Sequence, residues 1–216
     1  MKFRSFFALL AILLVMASQA CSNNASEAQN ALEGDILFQD DFSQKGTWDE
    51  GEDEDGKAFY HADQNYHILV KAANANIWSN PGLNFKDVRI EVDATKIEGP
   101  EENEFGVICR YLDSRNFYYF AITSDGYFGI FKVKDGTNIM INRTEWMPST
   151  AIKKQADKNQ IRAECVGSTL KLFVNGQFLD KQEDADFKSG DVGLIAGTTE
   201  PGGVEILFDN FVVRKP

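Results

Sequence analysis

Three dipeptides do most to limit how this chain can fold: Asp125-Gly126, Asp135-Gly136 and Asn175-Gly176, each set between short runs rich in apolar and aromatic residues. Both residues of such a pair tolerate the positive φ that a two-residue hairpin demands, so each pair predicts two antiparallel strands. Asn175-Gly176, between residues 170–174 and 177–179, carries the strongest signal. The pairs flanking Tyr127 extend the prediction to an antiparallel meander at the centre of the domain. From Gly34 onward no stretch sustains a 3.6-residue period. Twelve runs read as strands: 36–42, 66–71, 88–95, 105–111, 117–123, 127–133, 138–142, 160–166, 169–174, 177–181, 192–196 and 204–213. So many strands with turn signals between them predict an all-β sandwich or barrel of antiparallel sheets. No internal repeat and no second domain boundary is visible, so residues 35–216 are expected to form one domain, long enough to bury its own core.

Alternation assigns the faces. In residues 88–95, Val88, Ile90, Val92 and Ala94 share one side, and Arg89, Glu91, Asp93 and Thr95 the other; residues 160–166 repeat the pattern with Ile161, Ala163 and Cys165 against Arg162 and Glu164. One sheet therefore displays a charged ladder. It is either a solvated face with cross-strand ion pairs or a ligand groove.

The first 20 residues have the layout of a secretory signal: basic Lys2 and Arg4, an apolar run over 6–17, and Ser18-Gln19-Ala20 before Cys21. Twelve apolar residues span only ~18 Å as a helix against a hydrocarbon core of ~30 Å, so no transmembrane helix is expected after processing. Cys21 is the expected site of lipid attachment. Ser18 and Gln19 depart from the usual lipobox, and Ser18-x-Ala20 also fits ordinary signal cleavage, so simple secretion is the alternative. Residues 21–34, rich in Ser, Asn, Ala, Glu and Gln, read as a flexible tether. The expected location is the cell envelope or surface, reached by export. Loss of Lys2 and Arg4 takes the net charge from −11 to −13, which argues against nucleic acid and against adhesion to anionic lipid.

Cys109 and Cys165 are the remaining cysteines. In an exported protein they are expected to form a disulfide, which requires their strands to lie side by side or to face each other across the core. His61 and His67, without His-x-x-x-His spacing or a cysteine cluster, predict no zinc site. Residues 49–56 fail as a calcium loop, because Gly51 holds the first ligand position and Ala62 the last. A structural calcium ion is considered at Asp41 and Asp209, which the first and last strands would bring together; capping and turn hydrogen bonds are the alternative. No other cofactor is expected.

Glu91-Val92-Asp93-Ala94 resembles the start of the catalytic strand of family 16 glycoside hydrolases, whose carboxylates work about 5 Å apart. The third carboxylate is missing: Thr95 and Lys96 stand in its place. The series Asp40-Asp41-Phe42-Ser43, Trp48, Arg115-Asn116-Phe117-Tyr118-Tyr119-Phe120, Ser124-Asp125-Gly126-Tyr127-Phe128-Gly129, Leu172-Phe173-Val174-Asn175-Gly176, Gly193-Leu194-Ile195-Ala196-Gly197 and Phe208-Asp209-Asn210-Phe211 resembles the concanavalin A-like lectin/glucanase superfamily. Within it, the series resembles the laminin G-like branch and the 3-keto-disaccharide hydrolase-like domains of bacterial lipoproteins. The resemblance implies a jelly-roll β-sandwich but is not specific for activity, because the superfamily includes lectins, glycanases and adhesion modules; with the third carboxylate missing, the expected function is a surface module that binds carbohydrate or another extracellular ligand without catalysis. A glycoside hydrolase-like enzyme acting on a glycan, or a structural partner-binding envelope protein, is the alternative. Candidate ligand residues are Trp78 and Trp146 beside turns, Arg110 and Tyr119 on the sheet surface, and Glu91 and Asp93 on the polar face. Against this, a loop tryptophan can plug a sandwich end and a strand tyrosine can pack inside.

Overall fold

The alternating runs fold as two antiparallel sheets with their apolar sides face to face, a jelly-roll β-sandwich. The computed structural model describes residues 33–216; the expected signal, the tether up to Leu32, and Cys21 lie outside the described residues. Sixteen strands follow in order: β1 (Ile36–Asp40), β2 (Gly51–Glu52), β3 (Gly56–Tyr60), β4 (Tyr66–Val70), β5 (Ala75–Ser79), β6 (Val88–Glu98), β7 (Asn103–Asp113), β8 (Asn116–Ile122), β9 (Tyr127–Lys134), β10 (Thr137–Met140), β11 (Met147–Pro148), β12 (Asn159–Val166), β13 (Thr169–Val174), β14 (Gln177–Glu183), β15 (Asp191–Thr198) and β16 (Val204–Arg214). The nine-stranded sheet runs β14-β13-β12-β6-β16-β4-β3-β2 with β1 also on β16; the seven-stranded sheet runs β10-β9-β8-β7-β15-β5 with β11 also on β9.

All twelve expected strands occur. The four additional ones are β2 and β11, of two residues each, and β3 and β5, whose Gly, Lys, Asn and Ala residues carry little β signal. The acidic segment 49–56, exposed as far as Asp55, includes the short strand β2, and Asp53 accepts hydrogen bonds from the N–H groups of Asp55 and Gly56 at 2.9 and 3.0 Å, turning β2 into β3. The expected central meander is divided between the sheets. β7 to β10 form one in the seven-stranded sheet, while Asn175-Gly176 joins β13 to β14 in the other. Asp135-Gly136 and Asn175-Gly176 have the paired positive φ values of their turn type, at 53° and 81° and at 51° and 80°. At residue 125 only Gly126 does, and a wider loop closes through Thr123 N–H to Tyr127 O.

Val88, Ile90, Val92 and Ala94 on β6 and Ile161, Ala163 and Cys165 on β12 all point into the core, as alternation requires. The first and last strands pair at one end of the sandwich, Asp40 of β1 opposite Phe211 of β16. Trp48 plugs that end of the core, 4.8 Å edge-on to Phe211 and 5.5 Å from Phe42. Cys109 on β7 and Cys165 on β12 are disulfide-bonded, joining the two sheets across the core. Among the described residues no helix is long and apolar enough to cross a membrane.

Candidate functional site

Strand β8 is apolar on both sides. Tyr118, Phe120 and Ile122 face the main core, and Phe117, Tyr119 and Ala121 belong to a second apolar cluster on the outer side of the seven-stranded sheet. A bare apolar face would be costly in water, so this one is covered by larger side chains from neighbouring strands. The result is a row of rings across the sheet. Trp78 on the edge strand β5 and Tyr111 on β7 pack on Phe117 at 5.7 and 5.5 Å; Phe117 meets Tyr119 at 6.1 Å; Tyr119 stacks on Phe131 of β9 at 4.7 Å; and Phe131 meets Trp146 at 4.8 Å. The middle of the row is buried and the two tryptophans at its ends are half-buried. Trp78 is held by a hydrogen bond from its Nε1 to the Tyr111 hydroxyl at 3.3 Å. The loop carrying Trp146 is tied to β14 by Arg143, whose Nε and Nη2 each donate to Asp180 at 2.8 Å.

Polar groups interrupt this layer at chosen points. Asn76 Nδ2 donates to Glu104 Oε1 at 2.8 Å across β15, where Gly197 leaves room for both side chains. Burial pushes the Glu104 carboxyl up to about 7, against the opposing effect of the Asn76 hydrogen bond. The Tyr119 hydroxyl accepts from Asn138 Nδ2 at 2.8 Å, and burial raises its pKa with the Glu104 carboxylate adding to the rise. Beside Asn76 and Trp78 a cleft of about 450 Å³ opens, walled on its far side by the acidic segment from Asp49 to Asp55. Trp78 is thus shared between the cleft and the ring row.

The expected site residues fall in different places. Trp78 and Trp146 lie on this outer face. Tyr119 does too, but under the covering layer and wholly buried, so it is not the surface residue expected. Arg110 is also not on the surface: only 2% exposed, it donates to the carbonyls of Lys86 and Phe187 at 3.1 and 2.8 Å and to Asp87 at 3.3 Å, fastening two loops. Glu91 and Asp93 belong to the other sheet. Glu91 pairs with Arg89, and Asp93 takes Lys158 Nζ at 2.9 Å and Asn210 Nδ2 at 3.2 Å. Lys171 reaches Glu164 at 3.2 Å, and Arg162 lies 3.6 Å over the Phe173 ring. The charged ladder is therefore an ion-paired face. A shallow hollow of about 840 Å³ lies over it, bordered by Arg89, Glu164, Lys171 and Lys181.

Asp41 is engaged by the Ser43 N–H and hydroxyl at 3.0 and 2.6 Å, and Asp209 by the Asn210 N–H at 2.7 Å. Burial raises the pKa of Asp209, and repulsion from Asp93 and Asp41 adds to it. The described His, Cys, Asp and Glu side chains that converge closely enough to hold a metal ion are His61, Asp63 and His67.

Glu104, Asn76, Asn138, Tyr111, Phe117 and Phe131 were not among the sequence candidates. The signal that points to this face is the unbroken run Phe117-Tyr118-Tyr119-Phe120-Ala121-Ile122, since apolar residues at consecutive strand positions mean burial on both sides.

No family profile and no curated protein sequence matches the chain. Solved structures with the same fold include a carbohydrate-binding module of Bacillus subtilis, with a TM-score of 0.62 and 16% identity over 78% of this chain and 96% of that one. A Bacillus licheniformis beta-glucanase matches with a TM-score of 0.61 and 8% identity over 83% and 98%. A Bacillus subtilis protein described as galectin-like in fold gives 0.61 and 13% over 85% and 97%. At such identities the likeness is one of fold alone.

Proposed function

We propose that the chain is an exported, lipid-anchored surface module that binds carbohydrate on the outer face of its seven-stranded sheet. The observation that carries this reading is Trp78: half-buried, braced by Tyr111, and lining a cleft together with Asn76, the partner of Glu104. Pyranoses offer apolar C–H faces to an aromatic ring and hydroxyls to nearby polar groups, the combination present here. The fold likeness to a carbohydrate-binding module and a beta-glucanase supports the substrate class. The laminin G-like assignment rests on the sequence motifs, and the lipid anchor on Cys21 after the signal layout.

Binding is favoured over hydrolysis because the carboxylates of the catalytic-like strand, Glu91 and Asp93, are occupied by cations on the other sheet. Glycoside hydrolysis uses two carboxylates about 5–10 Å apart, and Glu104 is engaged by the Asn76 side chain. Favouring the enzymatic reading, burial pushes the Glu104 carboxyl up to about 7, which suits a general acid. A glycan array probed with residues 33–216 tests both readings. Expected is retention of a glycan subset, with Trp78→Ala weakening it by about tenfold, the ~1.4 kcal/mol scale of one stacking contact. Release of reducing sugar that Glu104→Gln abolishes would replace binding with hydrolysis; silence in both assays would end the carbohydrate reading. Mass spectrometry of the native N-terminus tests the anchor: diacylglycerol on Cys21 supports it, and an unmodified cysteine means secretion. A calcium ion at Asp41 and Asp209 would relieve their repulsion, and a Tm raised by Ca²⁺ and lost in Asp209→Asn tests that.

A further inference from the structure

Six positions separate His61 from His67, a spacing that brings no two ligands together on one helix or strand. The β3–β4 hairpin does so instead. Phe59 pairs with His67, and His61, just past the end of β3, folds back so that the two imidazoles stack with centroids 4.4 Å apart and planes at 29°. Asp63, in the turn between them, reaches both: its Oδ1 is 3.0 Å from His61 Nδ1 and its Oδ2 is 3.1 Å from His67 Nε2. The other nitrogen of His67, Nδ1, is 2.7 Å from Glu205 Oε1 on the neighbouring strand β16.

With neutral imidazoles this arrangement leaves lone pairs facing lone pairs. A neutral imidazole has one N–H, and His67, nearly fully buried, faces a carboxylate oxygen from each nitrogen. If Nδ1–H donates to Glu205, Nε2 presents its lone pair to Asp63. His61 repeats the situation in its neutral Nε2–H form, turning the Nδ1 lone pair toward Asp63, whose Oδ1 lies at 3.0 Å and whose N–H lies at 3.3 Å. A cation among the three groups converts both repulsions into coordination. Glu205 then acts as the outer carboxylate that fixes tautomer and ring orientation in many metal-bound histidines.

We propose that His61, Asp63 and His67 bind a divalent transition-metal cation of the Zn²⁺ type, with Glu205 as a positioning residue. Two imidazoles and one carboxylate suit Zn²⁺, Ni²⁺ or Cu²⁺ rather than Ca²⁺, which prefers six to eight oxygens. The exposed His61 side leaves a coordination position open to solvent.

The test is calorimetric titration of ZnCl₂ into protein expressed from the full sequence. Expected is a site of micromolar or tighter affinity that CaCl₂ does not fill. His61→Ala, at the half-exposed ligand, should weaken it at least 30-fold while the circular dichroism spectrum is kept, and Glu205→Gln should weaken it about tenfold. Loading with Cu²⁺ should give an electron paramagnetic resonance spectrum with nitrogen couplings that diminish in His61→Ala. Absence of Zn²⁺ binding, or binding of equal strength and stoichiometry in folded His61→Ala, would overturn the proposal.

Discussion

Glu104 is the residue at which environment and chemistry are most at odds. A glutamate that ordinarily titrates at 4.5 is held at about 7 by burial, so the folded protein keeps its proton over a range in which the unfolded chain has lost it. Because the folded state binds more protons between those values, its stability falls as pH rises from about 4.5 through 7. Below about 4.5 the contribution is fully present; above about 7 it is gone. Glu104→Gln keeps the shape and the partnership with Asn76 while removing the titration. Denaturant unfolding from pH 5 to 8 should show wild type losing about 1–3 kcal/mol relative to Glu104→Gln across that window. A parallel pair of curves would mean that the carboxyl titrates normally. Nothing in the sequence marks this residue, which closes the acidic run Glu101-Glu102-Asn103-Glu104. Its burial depends on neighbours from β5 and β15, far away in the chain.

The same dependence on neighbours separates what was legible in the strands from what was not. The ladder faces of β6 and β12 were readable because alternation is a property of each strand alone, and the inward residues are those expected. The Asx–Gly turns were readable because φ preference is local. Arg110 and Tyr119 were not, because a polar or amphipathic residue in a strand is placed by what covers it. Arg110 is enclosed by the loops at Lys86 and Phe187, and Tyr119 by Phe131 and Asn138. Spacing in the sequence predicts no zinc site at His61 and His67, and it says nothing of how the β3–β4 hairpin brings the two rings together. Among the elements, β15 shows how a strand serves the candidate site by lacking a side chain. Gly197 has no need of glycine for its φ, but a Cβ there would overlap Asn76 Oδ1 and approach Glu104 Cγ at 3.1 Å. Gly197→Ala should therefore part Asn76 from Glu104 with modest loss of stability, about 1–2 kcal/mol, and weaken glycan retention as much as Trp78→Ala does. Unchanged retention would place the binding surface away from this pair.

At the scale of the whole molecule, the two sheets meet through apolar burial and through one covalent link. The chain-order separation of Cys109 and Cys165 is 56 residues, and the bond ties the β7 side of one sheet to the β12 side of the other. A crosslink of that span removes loop conformations from the unfolded chain, worth about 4 kcal/mol on the entropic account. Both cysteines are fully buried, so replacing them with alanine also leaves a small void. The Cys109→Ala/Cys165→Ala protein should thus unfold about 2–4 kcal/mol more easily, with a steeper denaturant dependence because its unfolded state is free to expand. Cys109 points into the main core, whereas its strand neighbour Ile108 faces the ring row, so the site itself should be spared. Glycan retention and Zn²⁺ binding are expected to persist in the double variant below its unfolding transition. Loss of retention at a temperature where circular dichroism still reports the native sandwich would show instead that the bond sets the shape of the outer face, and that the sheets do not fix it by packing alone.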